Sequence, residues 1–193
     1  MKLKTSVLAP LFTMLGCLSM QGCESVTMRA PVASERNVAS LRAAGLGPVS
    51  LGQFDLDHHN VGKDGHFELR GSAVKSPYQG SFADYLREII KTHLAAAGVY
   101  RLNSDTVLSA MLTESHLNAG AQTGSGSLKG KFIVKSKGAV VYEREIGYDE
   151  TWESSPFTQQ AVPWAIDRYE NMYQKIVLEL FNDPQFRKAV SDR

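Results

Sequence analysis

The chain has 193 residues, 43% of them hydrophobic, which suits one globular domain able to bury a core without staples. Its formal net charge is only +1, and Lys2 and Lys4 near the start supply two of the cations, so the remainder stands at −1. Such a balance argues against a nucleic-acid partner or a polybasic membrane patch. Both cysteines lie within the first 23 residues, which leaves no disulfide framework, cysteine nucleophile or cysteine metal site in the domain that follows.

Lys2 and Lys4 form a cationic lead-in to an apolar run from Thr5 to Leu18, interrupted by Pro10 and too short to span a bilayer permanently. The run closes on Met20-Gln21-Gly22-Cys23, where a small residue precedes cysteine, as signal peptidase II requires. This resembles a bacterial lipobox, with Met20 in place of the usual leucine and Gln21 in place of a small residue. Met14-Leu15-Gly16-Cys17 is a competing match, but the end of the hydrophobic run favours Cys23 as the lipidated residue. Residues 1–22 are thus expected to be a lipoprotein signal peptide. Acyl chains contribute about 0.8 kcal/mol per buried methylene, so a triacylated Cys23 would hold the chain firmly in a membrane. Glu24 follows, and by resemblance to bacterial sorting signals the absence of aspartate there points to the outer membrane, with the domain facing the periplasm.

Residues 23–36 are small and polar with Pro31 and read as a flexible tether; residues 37–193 read as a single α/β domain. Asn37 to Ala44 is expected to form a short amphipathic helix, Val49 to Leu56 a first strand, and His66 to Val74 a second strand ended by Ser76-Pro77. Phe82, Tyr85, Leu86, Ile89, Ile90, His93, Leu94 and Ala97 recur at helical spacing, with Ser81 as N-cap and Gly98 as the stop. Val107 to Leu112 reads as a buried central strand, and Asn118 to Ser127 as a loop or irregular strand start. From Leu128 to Lys135 apolar residues alternate with lysines, and after a turn at Ser136-Lys137-Gly138 a partner strand runs from Ala139 to Ile146, continuing toward Trp152. Val162 to Leu180 carries a second long helical stripe, with Pro163 in its first turn and Asn182-Asp183-Pro184 at its end; Phe186 is placed to fold back over the sheet. The expected fold class is α+β, a two-layer sandwich of ββαβββα order with about five largely antiparallel strands and two long helices on one face.

Gly71-Ser72, Ser76-Pro77, Ser81-Phe82 with Tyr85-Leu86, Ala97-Gly98, Leu112-Thr113, Gly124-Ser125-Gly126, Val141-Tyr142, Trp152-Glu153-Ser154-Ser155 and Asp183-Pro184 before Phe186 together resemble a group of small bacterial envelope lipoproteins of the YajG type. The resemblance covers most of the chain after the signal. It implies an envelope lipoprotein of poorly defined function, with no catalytic residues to carry over.

Asp55, Asp57, His58, His59, Asp64 and His66 are the one concentration of metal-competent residues, and a strand-loop-strand could converge Asp55, Asp57, His59 and His66 on a divalent ion. A solvated polar loop accounts for the same residues, and the spacing matches no zinc motif. His93 lies within an apolar stripe and suits a packed histidine better than a ligand; His116 is isolated. No serine sits in a nucleophile elbow, and Gly130-Lys131 is followed by Phe132, not by the Ser or Thr of a phosphate-binding loop. Trp152 and Glu153 are candidates for a partner-binding patch, or else Trp152 covers the edge of the core. The reading that results is a non-catalytic envelope module without a cofactor, joined to the membrane by a lipid anchor and docking a protein on its open sheet face or edge. The alternative is a metal-dependent envelope hydrolase or metal-binding protein built on the Asp55 to His66 cluster.

Overall fold

The computed structural model describes residues 25–58 and 66–191. Cys17, Cys23, His59 and Asp64, and the whole of residues 1–22 expected as a signal peptide, lie outside the described residues. The fold is α+β, roughly a two-layer sandwich. Among the described residues are seven strands in two sheets, β1 (Ser25–Thr27), β2 (Ser50–Leu56), β3 (His66–Leu69), β4 (Ser72–Lys75), β5 (Thr106–Ala119), β6 (Thr123–Ser136) and β7 (Ala139–Glu153). Four helices accompany them, α1 (Glu35–Ala43), α2 (Phe82–Ala97), α3 (Thr158–Asn182) and α4 (Pro184–Val190).

The larger sheet has the order β2-β5-β6-β7 and is antiparallel except that β2 runs parallel to β5. Alternation builds it. On β6, Leu128, Phe132 and Val134 are fully buried while Ser127, Lys129, Lys131 and Ile133 face the other way, so one sheet face packs on α2 and α3 and the other meets water. α2 forms as its sequence directs: Ser81 Oγ accepts from the Asp84 N–H at 3.0 Å, and Gly98 closes the helix at φ +83°. Phe82, Tyr85, Tyr169 and Tyr173 from α2 and α3 make an edge-to-face aromatic cluster under the sheet.

Several expectations change. The single strand expected over His66 to Val74 is a hairpin, because Arg70 and Gly71 take positive φ (49° and 81°) and turn the chain back between Leu69 and Ser72. The loop expected at Asn118 to Ser127 is mostly strand: β5 runs on to Ala119 and β6 starts at Thr123, so only a tight turn separates them. α3 begins at Thr158, earlier than its apolar stripe, which moves Pro163 from the first turn into the helix. The sheet is not one unit of five strands, since β1, β4 and β3 form a separate small sheet in which β1 runs parallel to β4.

Part of the segment ahead of α1 lies against the domain. Besides β1, Met28 is buried and its N–H donates to Lys75 O at 2.9 Å. The Arg29 N–H and Nε donate to the two carboxylate oxygens of Glu170 at 2.7 and 2.6 Å, and its Nη2 pairs with Asp167. Gln174 Nε2 donates to Val32 O at 3.1 Å. The Ser34 N–H donates to Nε2 of His93, whose Nδ1 lies 2.6 Å from Ile89 O.

Candidate functional site

The residues singled out from sequence are placed as follows. Asp55 stands exposed on β2 and accepts from Gln53 Nε2 and from the Leu56 N–H. The Asp57 N–H donates to Leu112 O, and His66 opens β3. Among the described residues no group of three or more His, Cys, Asp or Glu is gathered to hold a metal ion. Trp152, a candidate for a docking patch, is only 7% exposed. Its ring lies across Gly124 on the neighbouring strand, where any side chain would collide with the indole. This is the physical use of the Gly124-Ser125-Gly126 stretch, since the glycines clear the inner sheet surface for Trp152 and, at Gly126, for Met172 from α3. Glu153 is exposed beside it. His93 is fully buried against Phe181 and is held neutral, its burial pushing the imidazole below its ordinary range.

Sequence reasoning passed over the opposite end of β7. This strand is an edge of the larger sheet: β6 pairs with one side of it, and among the described residues no strand pairs with the other. Its 15 residues make it the longest strand among the described residues. Near its start a register shift against β6 sets Val141 outside the regular pairing, and Val140 and Val141 are 54% and 46% exposed. The turn ahead of them is tight, Lys137 and Gly138 both having positive φ. An open groove of about 960 Å³ lies beneath this corner, between the β6–β7 hairpin and α4, with Lys137, Val141, Tyr142, Glu143 and Lys188 among its walls.

Two residues of the groove wall, Tyr142 and Gln185, are held by one buried carboxylate behind them. Asp183 caps α4 through the Gln185 N–H at 2.8 Å, accepts from Tyr142 Oη at 2.7 Å and pairs with Arg144 at 2.9 Å. Burial alone would raise its pKa, but these donors outweigh it and hold the carboxyl below its ordinary range. The same burial and the Asp183 charge push the Tyr142 phenol well above its ordinary value. Phe186 packs edge-on against Tyr142 and is fully buried, so α4 closes over the sheet as its sequence suggests. The exposed face of the sheet is compensated by ion pairs, Lys129 with Glu114 and Lys131 with Glu143. Such an arrangement offers backbone donors and acceptors along an edge, an apolar corner and a polar groove.

No family model matches the chain, and no curated protein matches it significantly. Among solved structures, protein XCC0632 from Xanthomonas campestris, described under DUF330, is similar with a TM-score of 0.56 at 12% identity, covering 85% of this chain and 95% of that one. A minor lipoprotein from Acinetobacter baumannii is similar over 74% of this chain and 93% of its own, at 11% identity and a TM-score of 0.44. The rare lipoprotein B from Shewanella oneidensis reaches a TM-score of 0.39 at 11% identity, over 67% of this chain and 91% of its own. At such identities the likeness to the Xanthomonas protein is one of fold. Among the described residues no helix is long and apolar enough to cross a membrane.

Proposed function

We propose that this chain is an envelope lipoprotein, acylated at Cys23 after removal of residues 1–22, whose domain is a non-catalytic module docking a protein partner along the free edge of β7. The observation that carries the reading is that edge. A 15-residue strand, one side of which no strand pairs among the described residues, begins in two exposed valines above a groove, and unpaired strand edges are templates for strand addition. Main-chain hydrogen bonds would supply affinity, and the Val140–Val141 corner with its groove would supply selectivity. The lipobox-like Met20 to Cys23 and the YajG-type resemblance support the lipoprotein part, and Glu24 supports the outer membrane, with the domain in the periplasm.

The test is recovery of the native lipoprotein from detergent-solubilised envelopes, wild type beside Val140→Lys/Val141→Lys. Both positions are exposed, so the double variant should fold normally, while charge on an edge blocks strand addition. A reproducible partner retained by the wild type and lost by the variant is the expected outcome. Equal recovery with both proteins, or none with either at normal expression, contradicts the reading.

A further inference from the structure

Resting on the lipid-anchor reading, we infer that the N-terminal end of α3, with Phe157 and Trp164, is a membrane-contact surface that seats the domain on the headgroup layer of the bilayer holding its own acyl chains. Three observations meet there. The first is exposure. Phe157 and Trp164 are 65% and 50% exposed, Phe157 as the N-cap of α3 and Trp164 seven residues, about two helical turns, further on. Among the described residues they are the two exposed large aromatics, the others in that class being aliphatic.

The second observation is where the chain enters. Arg29 is fixed to Glu170, and Val32 to Gln174, so this segment runs alongside α3 in the same direction. Ser25 lies four residues upstream of Arg29, roughly 13 Å at strand rise, which corresponds to about nine residues of helix at 1.5 Å each. At that upper limit Ser25 comes level with Ala161, and at the spacing of the two contacts, four helix residues for three of the segment, with Ala165; Trp164 lies in this stretch. A second set of contacts agrees. Ser25 is in register with Ala73, just past the β3–β4 turn, and Arg70 of that turn donates to the carbonyls of Ser155 and Pro156 at 2.7 and 3.0 Å, immediately ahead of Phe157.

The third is covalent reach. Cys23 stands two residues before Ser25 in the sequence, so the acylated residue can be no farther than roughly 7 Å from it. An anchor this short gives the domain no freedom to stand off from the membrane, and whatever surrounds Ser25 must face lipid. Tryptophan and phenylalanine are suited to that position, an apolar body entering the interface while the indole N–H stays at headgroup level. The Val140–Val141 corner then lies at the other end of β7 from Glu153, roughly 40 Å away along the strand, directed into the aqueous space where a partner could reach it.

The experiment uses the native lipoprotein in vesicles of phosphatidylethanolamine and phosphatidylglycerol whose acyl chains are brominated at one chosen depth. Subtracting the emission of Trp164→Phe from that of the wild type isolates Trp164 from the buried Trp152. The expected result is a blue-shifted Trp164 signal, quenched more by bromines near the glycerol backbone than by bromines near the chain ends. Phe157→Glu should weaken that quenching while leaving the circular dichroism and Tm unchanged. A solvent-like, unquenched Trp164 in protein whose intact mass carries the acyl chains overturns the membrane contact and leaves the anchor standing. An intact mass without acyl chains overturns the anchor and the contact that depends on it. A blue shift that appears without vesicles and grows with protein concentration makes a second copy the occupant and also overturns the inference.

Discussion

The larger sheet and the segment that leads into α1 are held by different physics. The larger one, β2-β5-β6-β7, rests on long strands whose inner residues, among them Leu108, Leu112, Leu128, Phe132 and Val134, are fully buried against α2 and α3. The smaller one, β1-β4-β3, has strands of three and four residues. The segment leading from it to α1 is secured mainly by polar contacts, Arg29 to Glu170 and Asp167, Val32 to Gln174 and Ser34 to His93. Burial is indifferent to pH and salt over ordinary ranges, whereas ion pairs and a histidine acceptor depend on both. The difference teaches that this segment, rather than either sheet, is where pH and salt act first, since the smaller sheet buries Leu69 and Val74 in the common core and stacks Phe67 on Phe82.

The sharpest way to break the comparison is to damage the large sheet. Phe132→Ala should remove about 3–5 kcal/mol by the cavity it leaves, read as a fall in Tm of the whole domain. A variant that lost only β1 would mean that the two sheets are coupled more tightly than their contacts imply. Next in size is Asp183→Ala. It strips the cap from α4 and leaves the buried Tyr142 hydroxyl without its acceptor, and should cost about 2–3 kcal/mol in urea unfolding.

Acid should act on the smaller region. The folded protein holds His93 neutral, with Nε2 accepting from the Ser34 N–H, while the unfolded histidine protonates near its ordinary value of about 6.5. The unfolded chain therefore binds more protons, so stability is fully present above about pH 6.5 and declines as the pH falls below it. A charged His93 would set one N–H against another. Hydrogen exchange at Val26, Met28 and Ser34 should quicken below pH 6 before exchange in β5 and β6 does. His93→Leu should abolish that dependence at the cost of a looser segment at every pH.

Glu170→Gln is a smaller perturbation. It keeps one acceptor for Arg29 and removes the charge, and should loosen β1 by about 1 kcal/mol or less, given how exposed the Arg29 side chain is. Lys131→Ala on the solvent face should change stability by no more than about 0.5 kcal/mol, since exposed ion pairs contribute little.

What the sequence made legible follows the same division. α2 was readable to the residue because its apolar stripe, its Ser81 cap and its Gly98 stop agree with one another. The β6–β7 hairpin was readable from Leu128 onward, where alternation and the Lys137-Gly138 turn coincide. The small sheet was not, because strands of three and four residues carry too little periodicity and β1 finds its partner far along the chain. The start of β6 was missed for a different reason: Gly124 and Gly126 look like loop residues, yet they are small because Trp152 and Met172 lie on them. The same packing removed Trp152 from the surface where a partner patch was expected. The corner at Val140 and Val141 was not singled out because its exposure comes from a register shift, which no pattern in a single strand announces.

The central claim is that β7 offers its free edge to a protein partner, and a photo-crosslinking walk in intact envelopes tests it most directly. A photoreactive residue is placed in turn at Val140, Val141, Glu143 and Glu145 on β7 and, as controls, at Arg87 and Lys91 on α2. The account predicts one discrete adduct of constant mass from the β7 positions, strongest at Val140 and Val141, and none from α2. Adducts that are absent from β7, or equally strong from both elements, would contradict it.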